Sequence, residues 1–183
     1  LDQFKLSDNT KLFLHAGRIT EAKNQVVLCE AMSQLIEEGH DVVLVIAGVI
    51  QDVEIYKEIE NFIGNRIHYI GERNDVGDLL KEVDAMCLSS IWEGLPIILL
   101  ESLSVGCVPI CTPVGGMPNV IHDAENGILA VSTNVTDYKN ALLRFLKMND
   151  SEVKLMRDKA LVSFKEYDIQ FTASHYLDLY CNN

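Results

Sequence analysis

The chain has 183 residues, 48% of them hydrophobic and 23% charged, with 11 glycines and four prolines. That composition excludes collagen-like, low-complexity and largely disordered readings. Fifteen Lys and Arg stand against 27 Asp and Glu, a formal charge of -12. No basic stripe of the kind a duplex nucleic-acid binder needs is visible, so no nucleic-acid partner is expected. Any anionic ligand must be held by a few placed cations and backbone amides, not by the global field.

At roughly 150 residues per domain, the length predicts one domain around a single substantial core. No run approaches the roughly 20 apolar residues that cross a bilayer; the longest, residues 42–50, is strand-like and interrupted by Gly48. The opening Leu1-Asp2-Gln3-Phe4-Lys5 resembles neither a signal peptide nor a start, and reads as a chain cut from something longer. Cys29, Cys87, Cys107, Cys111 and Cys181 are an odd number without a CxxC pair. They predict buried free thiols in a reducing compartment. The histidines are scattered, and no metal site is expected.

In chain order, residues 11–16 read as a strand and 24–38 as an amphipathic helix stopped by Gly39. A strand over 41–47 precedes a helix over 53–63, with Asp52 as N-cap and Gly64 beyond its end. Strand 67–70 and helix 76–81, with Asp75 as N-cap, come next. Strand 85–88 leads to helix 96–105, closed by Gly106, and then to strands 108–112 and 127–130. Helices over 136–148 and 151–167 and a last one near 172–181 complete the chain.

Strands that are apolar throughout belong to a parallel sheet covered on both faces. Strict alternation then predicts a doubly wound α/β domain: a mostly parallel, six-stranded Rossmann-like sheet with helices on both faces. In such sheets ligands bind beyond the carboxyl ends of the strands, at the switch point. Attention therefore falls on Gly17-Arg18, Gly48 and the stretches 71–73, 89–96 and 112–116.

Neither GxGxxG after the first strand nor GxxxxGK[ST] anywhere is present, which argues against common dinucleotide and ATP sites. The informative segment is Ser89-Ser90-Ile91-Trp92-Glu93-Gly94-Leu95-Pro96-Ile97-Ile98-Leu99-Leu100-Glu101. Pro96 suits a first helical turn, and Gly94 permits close backbone approach. The amides of Gly94, Leu95, Ile97 and Ile98 would then face a phosphate. Glu101 stands about 7.5 Å along the axis from Pro96, at about 1.5 Å per residue. It is too far for the same phosphate but suits a neighbouring diol. Glu93 would lie on the other side, and a phosphate flanked by two polyols describes a sugar nucleotide.

Isolated glutamates are ordinarily solvated. Against that reading, Glu101 interrupts an apolar helix, and a buried acid needs partners. Arg18 and Lys23, also often mere surface cations, follow the first strand to the same rim and would offset charge on a leaving diphosphate. Gly115-Gly116 could approach a ligand or simply close a tight loop. Gly71-Glu72-Arg73-Asn74 would meet a base edge. His15 reads as a satisfied near-core histidine, and Trp92 as a packing residue.

Together, Gly17-Arg18…Lys23, Gly71, Ser90-x-x-Glu93-Gly94-x-Pro96, Glu101…Gly106-x-x-Pro109 and Val114-Gly115-Gly116 resemble the carboxyl-terminal domain of family 4 retaining glycosyltransferases of the GT-B fold. Glu93 and Glu101 match that family's E-x7-E spacing, and the resemblance runs over about residues 11–164. It implies a hexosyltransferase that takes a UDP- or GDP-linked sugar as substrate, with no further cofactor and no metal. The acceptor would be a saccharide or lipid-linked, bound by an absent amino-terminal domain. The setting it implies is cell-surface polysaccharide or glycolipid assembly, in the cytoplasm at the inner face of the membrane, with peripheral membrane contact through that other half.

The resemblance casts Arg18, Lys23 and Glu93 as catalytic groups. Gly17, Arg73, Ser90, Gly94, Leu95, Pro96, Ile97 and Glu101 would hold the donor. Residues 1–183 would form one nucleotide-sugar-binding domain, with 168–183 returning toward the absent half by an apolar face that includes Phe171, Tyr176 and Leu177. By itself the chain would bind a donor weakly and transfer nothing. The sequence departs from the family pattern at Val49 after Gly48, at Asn119 and at Asn24. Two rivals are a sugar-nucleotide epimerase of the same fold, which needs a histidine at the sugar, and a non-catalytic nucleotide-sugar-binding module.

Overall fold

The computed structural model describes residue 7 and residues 9–167; the helix expected near 172–181 lies outside them. The elements in order are β1 (Lys11–Ala16), α1 (Gln25–Glu37), β2 (Val42–Ala47), α2 (Val53–Glu60), β3 (Ile67–Tyr69), α3 (Val76–Glu82) and β4 (Ala85–Leu88). They continue with α4 (Ile97–Ser104), β5 (Val108–Cys111), α5 (Met117–Val120), β6 (Ile128–Leu129), α6 (Val135–Leu146) and α7 (Asp150–Phe164).

Side chains that alternate along a strand point to opposite faces, and here both faces are apolar. From β1, Phe13 packs with Val42, Leu44 and Ile46 of β2 in the core beneath α1 and α6. Leu12, Leu14 and Ala16 join Val43, Val45 and Ala47 on the reverse face, beneath α3, α4 and α5. Phe13 meets Phe145 of α6 edge to face, with ring centroids 5.8 Å apart. The Tyr138 hydroxyl, fully buried, donates to Ile110 O at 2.9 Å, so its polar end is satisfied inside the core. Cys29, Cys87, Cys107 and Cys111 are buried free thiols, and burial raises those of Cys29, Cys87 and Cys107 to about 12.

The six strands lie in the order β3-β2-β1-β4-β5-β6 and every adjacent pair is parallel. β1 registers residue for residue on β2, Lys11 beside Val42 through Ala16 beside Ala47. It also pairs with β4 through Phe13 beside Ala85. The chain therefore winds away in one direction after β1 and in the other after β4, which leaves a crevice at their carboxyl ends.

Three local expectations need correction. Helix α5 was not anticipated, because Pro118 and the double glycine before it read as a loop; Pro118 instead occupies the first turn, where its missing N–H costs nothing. Asp75 makes no side-chain cap on α3, since its carboxylate is taken by Arg73. Asp52 does cap α2, accepting from Glu54 N and Ile55 N. Pro96 stands just before α4 with an extended backbone (φ -67°, ψ 127°), so the first helical residue is Ile97.

Gly48 is where two of the carboxyl-edge loops touch. It has φ +147°, and a Cβ there would lie 1.9 Å from Gly17 O. Gly71 (φ +75°) has open space around the same position. Gly71→Ala is expected to cost about 1–2 kcal/mol from backbone strain alone, and Gly48→Ala at least about 3 kcal/mol, because strain and overlap add. Urea denaturation of both variants checks the difference; equal losses would show that the Gly17 loop yields freely.

Candidate functional site

The crevice opens into a cleft of about 430 Å³ lined by Gly17 and Arg18 after β1, Gly48 after β2, Arg73 and Asn74 after β3, and Glu101 of α4. Helix α4 buries Leu99, Ser102 and Leu103, which turns Glu101 outward. Glu101 is thus an exposed acid on the cleft wall and not the buried one its apolar neighbours predict. The helical period, not the local composition, decides its face.

Behind Gly17 lies a second cluster. Lys23 closes an ion pair on Glu93 Oε1, and Ser90 Oγ donates to the same oxygen at 2.8 Å. The two charged side chains are 19% and 12% exposed, so each depends on the other for compensation. A Cβ placed on Gly17 would sit 3.8 Å from Lys23 Cε, which puts the two clusters back to back at that residue.

Hydrogen bonds between distant segments set this pair in place. Asn24 adopts φ +54° and its Nδ2 reaches Ser89 O and Thr133 O, both at 3.2 Å. Asparagine tolerates the left-handed region and here adds two bonds that a glycine could not. Ser89 Oγ donates to Lys23 O at 2.9 Å, and Ile91 N to Ala22 O. On the far side, Gly116 N donates to Gly94 O at 2.7 Å, and a Cβ on Gly115 would lie 2.1 Å from Glu93 O. The double glycine thus packs on the backbone that carries Glu93.

His15 is fully buried. Its Nδ1 lies 3.0 Å from Cys87 O and must donate, so Nε2 accepts from Gln25 Nε2 at 3.2 Å. The other Gln25 N–H goes to Arg18 O at 2.7 Å. Burial lowers the imidazole to about 4, more than the Cys87 carbonyl offsets. Arg18 Nη1 donates to Gln51 Oε1 at 2.7 Å. Arg73 forms hydrogen bonds of 2.8 and 2.5 Å with Asp75, which hold the guanidinium above and the carboxyl below their usual ranges.

The structure brings Gly17, Arg18, Arg73 and Glu101 to one cleft and Lys23, Ser90 and Glu93 to the cluster behind it. Gly94 and Leu95 lie exposed on the loop into α4 and Ile97 is exposed at its first position, while Pro96 is buried. Trp92, expected to pack, is 68% exposed, because Ser90 and Glu93 take the inward positions of this turn. Gln25 and Gln51 escaped sequence reasoning. Gln25, as a polar residue in a buried first turn, carried a weak signal; Gln51 carried none.

A profile of the family described as "Glycosyl transferases group 1" matches residues 2–160. The chain belongs to this family. It is 30% identical over 144 residues to the UDP-Gal:alpha-D-GlcNAc-diphosphoundecaprenol alpha-1,3-galactosyltransferase of Escherichia coli, covering 76% of this chain and 37% of that protein. The fold matches HepE of Anabaena, solved in complex with UDP-glucose, with a TM-score of 0.84, 17% identity and coverage of 96% of this chain and 50% of that one. It also matches the C-terminal domain of a glycosyl transferase group 1 family protein (LpcC) from Francisella tularensis. There the TM-score is 0.76 and the identity 19%, with coverage of 92% of this chain and 91% of that one. The group 1 chain described here thus spans less than half the length of the E. coli relative.

The buried imidazole gives this glycosyltransferase-family domain a pH signature. Its ordinary value of 6.5 falls to about 4 on folding. The unfolded chain therefore takes up the proton first as pH drops, and stability present above 6.5 is lost toward 4. The share due to His15 is about 3 kcal/mol, at about 1.4 kcal/mol per unit. Chemical denaturation between pH 7 and 4 should show this slope in the native sequence and lack it in His15→Gln.

Proposed function

We propose that this chain is the donor-binding, carboxyl-terminal half of a retaining hexosyltransferase, and that its substrate is a UDP- or GDP-linked sugar. The observation that carries this reading is the cleft at the switch point, where Arg18, without an acidic partner among the described residues, shares a wall with Glu101. Arg18 takes the diphosphate directly, and Lys23, paired with Glu93 behind Gly17, joins it by exchanging that partner for a phosphate oxygen, so that the charge that builds as the bond to the sugar breaks is met by cations. Glu101 accepts from the ribose diol, and Glu93, with Ser90, faces the sugar hydroxyls. Gly17, Gly94, Leu95, Pro96 and Ile97 border the donor with backbone groups, and Arg73 with Asn74 borders the base.

The E. coli relative, whose name pairs a UDP-sugar with a lipid-diphosphate acceptor, supports the donor class and a saccharide or lipid-linked acceptor. The HepE complex with UDP-glucose supports the donor class as well. The near-complete overlap with an isolated C-terminal domain supports the division of labour, with the acceptor held by a separate amino-terminal domain and residues 168–183 returning toward it. On this reading the enzyme works in the cytoplasm, at the inner face of the membrane, in cell-surface polysaccharide assembly. Among the described residues no helix is long and apolar enough to cross a membrane. The epimerase alternative loses its nearest proton carrier, since both nitrogens of His15 are engaged in the interior.

A thermal-shift panel of UDP, GDP, ADP and their sugars tests the reading, because a ligand of the native state stabilises as RT ln(1+[L]/Kd). One nucleotide series should raise the midpoint at millimolar concentration; no response to any would refute the donor site. Glu101→Ala in the two-domain enzyme should lower kcat/KM for the donor by about tenfold or more, measured by initial rates against donor concentration. An unchanged value removes Glu101 from the ribose.

A further inference from the structure

Arg18, Lys23 and Arg73 stand at the carboxyl edge, and two of them are already neutralised: Lys23 is closed on Glu93 and Arg73 on Asp75. Arg18 differs. Its guanidinium donates to a neutral amide, Gln51 Oε1 at 2.7 Å, and no carboxylate among the described residues pairs with it. Its backbone is held as well, since Arg18 O accepts from the fully buried Gln25 at 2.7 Å. The loop that carries Gln51 is registered on the loop that carries Arg18: Ile19 N donates to Val49 O at 2.8 Å and Asp52 N to Ile19 O at 3.0 Å.

An amide acceptor orients a guanidinium without cancelling its charge. Of the five N–H donors on that group, one is spent and the others remain for phosphate oxygens. A carboxylate in the same place would form an internal ion pair that an incoming anion must first break.

We propose that Gln51 and Gln25 are positioning residues that present Arg18 as a pre-oriented, un-neutralised cation to a diphosphate, Gln51 acting on the guanidinium and Gln25 on the carbonyl. This rests on the diphosphate role given to Arg18 above. Ordering the side chain before binding lowers the entropy that binding must otherwise overcome.

The test is UDP titration by calorimetry into the 183-residue chain, its Arg18→Ala, Gln51→Ala and Gln51→Glu variants, and the two double variants with Arg18→Ala. Gln51 is exposed, so its variants fold. Gln51→Ala should weaken UDP about two- to threefold, the loss of one modest hydrogen bond. Gln51→Glu should weaken it about tenfold, because the carboxylate takes the cation. With Arg18 already replaced, both effects should fall within about twofold of nothing. Gln25→Met, checked for an intact thermal transition, should likewise lose its effect on UDP once Arg18 is gone.

The outcomes separate the two readings. Arg18→Ala with unchanged UDP affinity removes the diphosphate role and this proposal with it. A large effect of Arg18→Ala, with Gln51→Glu costing nothing or costing the same without the arginine, leaves the site standing and overturns the positioning role.

Discussion

The site depends on one topological constraint: β1 and β4 lie side by side, and the chain leaves them in opposite directions. The space between the departing loops is not filled by either crossover, so a crevice remains where strand ends and helix starts converge. Two of the loops also lean on others through close backbone approach. Gly48 touches the Gly17 carbonyl and Gly115 touches the Glu93 carbonyl, at separations that exclude a Cβ. Such contacts are short and stiff, and they fix the loop backbones on which the side-chain bonds to Arg18 and Glu93 are then built.

Charge at the site is handled locally, as the overall balance of -12 requires. Lys23 and Glu93 compensate one another at low exposure, with Ser90 contributing a further bond to the carboxylate. Removing either partner would leave the other charge poorly solvated, which costs more than the pair gains. Arg18 is exposed and bound to a neutral acceptor, so its charge is available to the cleft. Beneath both, His15 and Gln25 form a polar bridge in the interior that joins the end of β4 to the carbonyl of Arg18. Every nitrogen of that bridge is used, which makes a neutral imidazole part of the structure and not a proton carrier.

Much of the fold was legible because strands and helices answer to local pattern. The strand at Ala85–Leu88 begins and ends where its apolar run does, and the one at Lys11–Ala16 begins one residue before it. The alternation along β1 and β2 sorts their residues onto the two cores without any knowledge of the neighbours. The short α5 was hidden because four residues that follow a double glycine and include a proline are too few to show a helical period. Asp75 misled for a related reason: capping and ion pairing use the same carboxylate, and the nearby Arg73 took it.

From the order of residues alone came the doubly wound class, the family resemblance carried by Glu93 and Glu101, and the rim on which ligand groups gather, since all three follow from short-range spacing and strand direction. The tertiary structure alone decided that Lys23 is paired with an acid 70 positions away and that Arg18 is held by an amide 33 positions away. Those outcomes turn on how three loops register against one another across the sheet edge. No local propensity encodes a distance between segments that meet only when the sheet has formed.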